Sequence, residues 1–308
     1  MLKAIRPKNR VIVMYLLIPV FIYIFTVFVP LIAAFYFSFF QWKGGPKKSF
    51  IGLENYVALI KDLNFWSSFG HNIYLVVACI IGQIGLAFIF VLMINSRLVK
   101  FKGVHRTFGF FPSTISAVAI GFIWRIIYDY SYGILNYFID KFGATEWVMN
   151  VFNNGQPLVW KDMTNHIMLI VSIPLIWQFI GYYMVIILSA ISSVDQEIFE
   201  VAELDGANAF QRAVYIIFPL IKNTLVVCIT LCIAGNMKAF DHIYNLTAGG
   251  PGTSSMVMAL YGYNTSFRDH NMGYGSAISI GIFCCSLAVI VLSQQGARLL
   301  SKDKGGAQ

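Results

Sequence analysis

Charged side chains are scarce in this sequence. Asp, Glu, Lys and Arg make up 12% of the 308 residues, whereas hydrophobic residues make up 58%. A soluble domain carries roughly 25% charged residues, so the composition excludes an ordinary soluble protein and favours a membrane protein. The net charge of +8 does not predict a nucleic-acid partner, because the basic residues are scattered at the ends of the hydrophobic runs.

Motifs for catalysis and for metal binding are also lacking. The phosphate-binding pattern Gly-x-x-x-x-Gly-Lys-Ser/Thr does not occur, and the glycine-rich stretch 249–254 has no lysine. We therefore expect no ATP hydrolysis by this chain, no enzyme activity and no cofactor of its own. The cysteines lie in hydrophobic stretches and the histidines share no metal-like spacing, which predicts packing cysteines, interfacial histidines and no metal site. The residues concerned are Cys79, Cys228, Cys232, Cys284, Cys285, His71, His105, His166, His242 and His270.

Long hydrophobic runs dominate what is present. A membrane-spanning helix needs about 20 mostly apolar residues, and six runs meet that length. They do not alternate as the strands of a barrel would, so helices are the structure that satisfies their backbone in lipid. We predict an all-α membrane protein with six transmembrane helices in one domain over residues 13–297, flanked by terminal segments 1–12 and 298–308. The runs are 13–38, 72–95, 107–128, 166–190, 220–246 and 273–297.

The distribution of Lys and Arg predicts the orientation. With the N-terminus in the cytoplasm, thirteen Lys and Arg residues fall in inside segments and seven fall in outside segments. Basic residues are enriched in cytoplasmic loops of membrane proteins. We therefore expect both termini, and the polar segment 191–219, on the cytoplasmic side of a cell membrane.

The segment 191–219 (the 191–219 loop) is the longest stretch of the second half that is not simply hydrophobic. Ser193 with Gln196 forms a capping-box pattern for one helix, and Asp205-Gly206 forms a stop signal for it. Asn208 with Gln211 repeats the capping pattern, and Pro219 is expected to break the chain before the next span. These patterns predict a short helix pair over 195–212.

Three motifs carry a resemblance. The run Glu200-x-Ala202-x-x-x-Gly206, followed by a hydrophobic stretch that ends in Phe218-Pro219, resembles the coupling loop of ABC importer permeases, with Val201 where Ala is usual. The run Phe240-Asp-His-Ile-Tyr-Asn-Leu-Thr-Ala-Gly-Gly-Pro-Gly252 and the run Ile51-Gly-Leu-Glu-Asn-Tyr56 are similar to segments of the maltose-type, sugar-importing branch. Together these motifs place the resemblance over roughly residues 13–297.

The resemblance implies a function and a set of partners. It implies the transmembrane permease subunit of an ATP-driven, binding-protein-dependent importer in a bacterial cell membrane, with a carbohydrate, and by our preference an oligosaccharide, as substrate. The implied partners are a second permease in a heterodimer, a cytoplasmic ATPase dimer that binds ATP and Mg²⁺, an extracellular solute-binding protein and the membrane lipid. The implied ATPase-coupling residues are Glu200, Ala202, Asp205, Gly206 and Arg212.

Polar and aromatic residues within the spans are the candidates for the substrate path. Charged groups inside a membrane are costly and are functional candidates, while aromatic faces and amides suit a sugar ring. Ordinary helix packing, hydroxyls bonded to their own turn and a structural ion pair between Lys238 and Asp241 remain open alternatives. The candidates are Ser113, Ser116, Trp177, Tyr182, Tyr183, Asn236, Lys238 and Asp241.

An ion-driven secondary sugar transporter is the alternative function. Such carriers usually show inverted repeats and acids deep within their spans. We find no repeat, and Asp241 is the one plausible membrane acid. The sequence leaves open whether the substrate is a sugar, a polyol or a sugar phosphate.

Overall fold

The computed structural model describes residues 8–95 and 99–302, and helices account for most of them. Short 3₁₀ turns cover Phe111–Thr114 and Trp160–Asp162, and π-helical segments cover Ile24–Phe28, Ile80–Gly85, Arg212–Ile217 and Asn264–Arg268. In chain order the α-helices are α1 (Asn9–Tyr23), α2 (Val29–Phe37), α3 (Glu54–Lys61), α4 (Leu63–Cys79), α5 (Leu86–Asn95), α6 (Lys102–Phe110), α7 (Ala117–Ile127), α8 (Ile134–Lys141), α9 (Thr145–Asn153), α10 (Ile167–Ser192), α11 (Gln196–Leu204), α12 (Ala209–Gln211), α13 (Phe218–Leu220), α14 (Lys222–Asn236), α15 (Asp241–Leu246), α16 (Met258–Tyr263) and α17 (Met272–Lys302).

Four continuous helical stretches are long and apolar enough to cross a membrane. Two further stretches qualify as bent pairs, Lys102–Thr114 with Ala117–Ile127 at 99° and Ala209–Leu220 with Lys222–Asn236 at 75°. If each bent pair is one span, the total is the predicted six. The continuous stretches are Arg10–Phe37, Leu63–Asn95, Ile167–Ser192 and Met272–Arg298.

The third and fifth predicted spans differ from a straight helix. In the third, Pro112 lies in a 3₁₀ turn, Ile115 has an extended backbone, and a new helix begins after Ser116. In the fifth, the helix ends at Asn236 rather than at residue 246, and α15 follows as a separate short helix. The prediction of one helix over 220–246 is therefore wrong, because an apolar run fixes length and composition but not continuity.

The chain forms two compact units, one of residues 8–62 with 262–283 and one of residues 63–261 with 284–302. The first unit adds an unpredicted antiparallel hairpin, β1 (Phe40–Trp42) with β2 (Lys48–Phe50). The Asn55 amide donates to the carbonyls of Ser38, at 2.8 Å, and Phe40, at 3.1 Å. Asn55, within the motif 51–56, thus ties α3 to the chain between α2 and the hairpin.

The second unit packs around α10. This helix contacts α4, α5, α6, α7, α14 and α15, and half of its residues are buried. Pro174 within α10 has no N–H to donate to the carbonyl of Ile170. The hydroxyl of Tyr128 donates to that carbonyl at 3.0 Å, so the proline is accommodated without an unpaired buried acceptor.

Candidate coupling loop and transport path

The first helix of the 191–219 loop is α11, and its N-cap is Asp195. The Asp195 Oδ1 accepts the N–H of Glu197 at 3.2 Å. The predicted cap, Ser193, is wrong because α10 continues to Ser192 and Ser193 closes that helix. The Ser193 hydroxyl donates back to the carbonyl of Ala190 at 2.7 Å.

The end of α11 is a Schellman motif at the predicted Asp205-Gly206 stop. The N–H of Ala207 donates to the carbonyl of Ala202 at 3.0 Å, and that of Gly206 donates to Glu203 at 3.1 Å. Gly206 has a φ of +77°, and a Cβ added there would meet no atom within 4 Å. Glycine is favoured here by backbone conformation, not by lack of space within this chain.

The second helix of the loop begins with the predicted capping box. Asn208 Oδ1 accepts the N–H of Gln211, and Gln211 Oε1 accepts the N–H of Asn208, both at 2.9 Å. The helix then continues through the π-helical segment Arg212–Ile217 into α13, so it is longer than predicted. Pro219 lies within the first turn of α13, and the chain bends at Ile221 instead.

The loop exposes acids and large apolar side chains together. Ala202 is buried and anchors α11, whereas Glu200 and Asp205 are exposed, with Glu200 accepting from the Gln196 amide at 3.1 Å. Arg212 lies 3.7 Å from Glu203 across the turn. The apolar members are 87% exposed for Leu204 and 73% for Phe210 and Tyr215. An exposed apolar surface rimmed by polar residues is typical of a protein interface.

The path candidates of the third span lie at its break. Ser113 is half-buried and its hydroxyl donates to the carbonyl of Phe110 at 2.7 Å. Ser116 is exposed, and its Oγ accepts the N–H of Ala119 at 3.3 Å as the N-cap of α7. Both hydroxyls therefore bond backbone groups at the break in the third span. The exposed Ser116 is also accessible to a ligand or to another subunit.

The path candidates of α10 lie on two faces. Trp177 and Tyr182 are 37% and 38% exposed, and Trp177 meets Trp124 edge-to-face at 6.0 Å. Tyr183 is buried, at 5% exposure. Between them, Gly181 faces α6 so closely that a Cβ would overlap the carbonyl oxygen of Gly109.

The side chain of Gln178 joins three of these regions. Its amide donates to the carbonyl of Ile115, in the third-span break, at 2.8 Å, and its Oε1 bonds the ring of His242, in α15. Gln178 is 3% exposed and His242 7% exposed. The break, the middle of α10 and the start of α15 at Asp241 are thus neighbours.

Asn236 is buried at the end of α14. Its amide donates to the carbonyl of Cys232 at 2.9 Å, within its own helix. The fully buried Asn72 of α4 donates to the carbonyls of Asn236, at 2.8 Å, and Met237, at 3.3 Å, and accepts the N–H of Met258 at 2.9 Å. Asn72 therefore bonds backbone groups at the end of α14 and at the start of α16.

Lys238 lies within the interruption between α14 and α15, Asp241 is the first residue of α15, and both are exposed. The alternative of an ion pair between Lys238 and Asp241 is wrong, because the two residues do not share a helix. Within the described residues, they form no salt bridge. Both charges remain available to a ligand or to another subunit.

A family match follows from the sequence. Residues 89–304, more than half of the chain, match the profile of a family described as the inner membrane component of binding-protein-dependent transport systems. The chain belongs to this family. The permease is accordingly a multi-pass membrane protein.

Individual relatives agree with the family. A probable ABC transporter permease protein of Pyrococcus horikoshii is 35% identical over 83% of this chain and 85% of the relative. A probable starch degradation products transport system permease protein of Thermoanaerobacterium thermosulfurigenes is 31% identical over 87% of each chain. A bacterial alginate ABC transporter, solved with an alginate pentasaccharide-bound periplasmic protein, shares the fold with a TM-score of 0.78 at 20% identity over 96% of both chains.

The structural amides of the permease are not apparent from the sequence motifs. Asn72 was not singled out, and His242 was predicted at the membrane interface although it is buried against Gln178. Gln83, also buried, donates to the carbonyl of Leu175 at 3.0 Å. The available signal was an isolated amide inside an apolar run, since a buried polar group must find a partner.

Proposed function

We propose that the permease forms the translocation path of an ATP-driven importer for a neutral oligosaccharide. It pairs with a second permease, receives substrate from an extracellular solute-binding protein and couples to a separate ATPase dimer. The named substrates of relatives support a carbohydrate, since starch degradation products and alginate are both saccharides. The lack of a basic cluster among the path candidates, where Lys238 is the one cation, supports a neutral ligand.

The observation that carries the coupling role is the 191–219 loop. Its two helices are each capped, a Schellman turn sets the corner between them, and Leu204, Phe210 and Tyr215 project from it without cover in this chain. A capped helix pair transmits displacement better than an irregular loop. Its Glu200 offers a charge-assisted contact to a basic residue of the ATPase, typically worth about 1.5–3 kcal/mol.

Reconstitution with the partner subunits tests this role. We expect Glu200→Lys to insert into the membrane normally but to lose saccharide uptake and most ATPase co-purification. Glu54→Lys makes the same charge change on the exposed N-terminal turn of α3 and should leave both measurements intact. Normal uptake by the Glu200→Lys complex would remove this carboxylate from the coupling mechanism.

The energy source separates the proposed function from the alternative. An importer of this kind should require ATP and the ATPase subunits for uptake into vesicles, and the isolated chain should show no ATP hydrolysis. An ion-driven carrier would transport without the ATPase and would stop when the proton and sodium gradients are collapsed. Uptake by the isolated chain that depends on such a gradient would overturn the proposal.

A further inference from the structure

A cavity lies away from the loop and path residues, in the segment between the third and fourth spans. Its volume is about 510 Å³, and it is bounded by α8, α9 and the turn that precedes α8. Small-molecule sites typically enclose about 300–1,000 Å³. The apolar part of its wall comes from Ile139, Met149 and Leu158, which belong to or pack against the hydrophobic core. The apolar wall of the cavity is therefore packed against the hydrophobic core.

Three exposed tyrosines line this cavity. Tyr130, Tyr132 and Tyr137 are 53%, 90% and 60% exposed. Within the described residues, none of their hydroxyls forms a hydrogen bond. Tyrosine rings offer flat apolar faces and a polar tip, so the cavity presents stacking surfaces together with uncommitted donors and acceptors.

A partly buried hydrogen-bond network around Asn136 holds the cavity in shape without a ligand. The Asn136 amide donates to the carbonyls of Tyr130, at 3.2 Å, and Leu158, at 3.3 Å. Its Oδ1 accepts the indole N–H of Trp160 at 2.7 Å. One side chain thus joins both edges of the cavity, which lowers the ordering cost of binding.

The turn that carries two of the tyrosines is also fixed. Asp129 Oδ1 accepts the N–H groups of Tyr132 and Ser131, each at 3.0 Å, and these bonds hold the pKa of Asp129 below its usual range. A Cβ at Gly133 would overlap the carbonyl oxygen of Asp129, so a glycine is needed to close the turn. The tyrosines are therefore presented on a preformed turn.

The polar lining determines what class of ligand fits. Asp140, Ser131 and Thr145 line the cavity, and no Lys, Arg or His does. A carboxylate and hydroxyls beside aromatic faces suit the hydroxyls and C–H faces of a pyranose. The Asp140 carboxylate lines the cavity and disfavours an anionic sugar, whereas the neighbouring Lys141 does not line it and has its Nζ 5.8 Å from the centroid of the Tyr137 ring.

We propose that this cavity is a subsite for one pyranose unit of a neutral saccharide, outside the translocation path. This subsite rests on the proposed function, and its outward position rests on the orientation that the distribution of Lys and Arg predicts. A site there would hold one end of an oligosaccharide while the path admits the other. Such a subsite would favour oligomers over single sugars.

Binding to the assembled complex in lipid nanodiscs, without solute-binding protein, tests the subsite. The probes are the pyranose trisaccharides maltotriose, cellotriose and xylotriose, with trigalacturonic acid as the anionic comparison, measured by saturation-transfer NMR. We expect at least one neutral trisaccharide to bind in the millimolar range, and Tyr137→Ala and Asp140→Asn each to weaken it about tenfold. Phe142→Ala is the matched control, because Phe142 is exposed beside α8 but does not line the cavity.

Four outcomes would overturn the subsite. These are no binding of any neutral trisaccharide, preference for the anionic one, binding only in lipid-free detergent, and binding unchanged in Tyr137→Ala but lost in Asn236→Ala. The last would locate the ligand in the path. Normal ATP-dependent uptake alongside any of these defeats the subsite alone, whereas failure to assemble with an ATPase defeats the proposed function whatever the cavity binds.

Discussion

At the scale of the residue, the side chain of Asn72 stabilises the place where α14 ends and the chain continues without helix. Its side chain bonds the carbonyls of Asn236 and Met237 and the N–H of Met258. Asn72→Leu keeps the branching of the side chain but removes the bonds to the carbonyl of Met237 and the N–H of Met258, at about 1–3 kcal/mol for each unpaired buried group. The carbonyl of Asn236 would retain only the N–H of Ala239, at 3.3 Å. We expect a large drop in the thermal unfolding temperature of the purified complex. Asn223→Leu, on the exposed side of α14, should change it little, and equal effects would show that the bonds of Asn72 do not matter.

Gly181 gives a second prediction at this scale. Gly→Ala inside a helix normally stabilises by about 1 kcal/mol, but a methyl group at Gly181 would overlap the backbone of Gly109. Gly181→Ala should therefore separate α10 from α6 and lower both stability and uptake. Gly70→Ala in α4, where a Cβ meets nothing within 4 Å, is the control and should be neutral or stabilising. Thermal unfolding and uptake of the two variants decide the matter.

At the scale of the element, the two helices of the 191–219 loop depend on local caps. Asn208→Ala removes one half of the capping box and should destabilise the second helix by about 1 kcal/mol. Gly206→Ala should lower the stability of the loop by roughly 1–2 kcal/mol, because the alanine would have to adopt the left-handed conformation of Gly206. The added Cβ would meet no other atom within 4 Å, so no clash contributes. Faster amide hydrogen exchange over residues 206–217, with unchanged exchange in α10, would be the expected signature. Unchanged exchange in the loop would contradict a role for these caps.

The same elements show what sequence can predict. The Asp205-Gly206 stop and the Asn208-Gln211 box depend on bonds between residues at most a few positions apart, so the pattern alone identifies them. The break at Ile115 depends instead on Gln178, which lies 63 positions away and supplies the donor that permits it. The cap at Asp195 was misassigned because the end of α10 is set by tertiary packing. Length and hydropathy place a span, but distant side chains decide whether it bends.

At the scale of the whole molecule, the path candidates on exposed faces would be covered by the second permease of the proposed function. Trp177, Tyr182, Lys238 and Asp241 are exposed in the single chain, and a charge is costly against lipid. We expect Lys238→Ala and Tyr182→Ala to reduce uptake several-fold while the ATPase still co-purifies. Uptake should fall through a higher KM if these side chains contact the saccharide. Loss of co-purification would instead assign them to assembly.

Orientation underlies every role proposed for the molecule, and sided labelling measures it. Leu204→Cys lies in the 191–219 loop at 87% exposure, and Phe142→Cys lies in the segment that holds the cavity at 78% exposure. In a background without the native cysteines, a membrane-impermeant maleimide should label Phe142→Cys in intact cells and Leu204→Cys only after permeabilisation. The excess of Lys and Arg on the loop side predicts this result. Labelling of Leu204→Cys from outside would show that the orientation is the reverse of the predicted one. The loop could then not reach a cytoplasmic ATPase, and the cavity could not bind an extracellular saccharide.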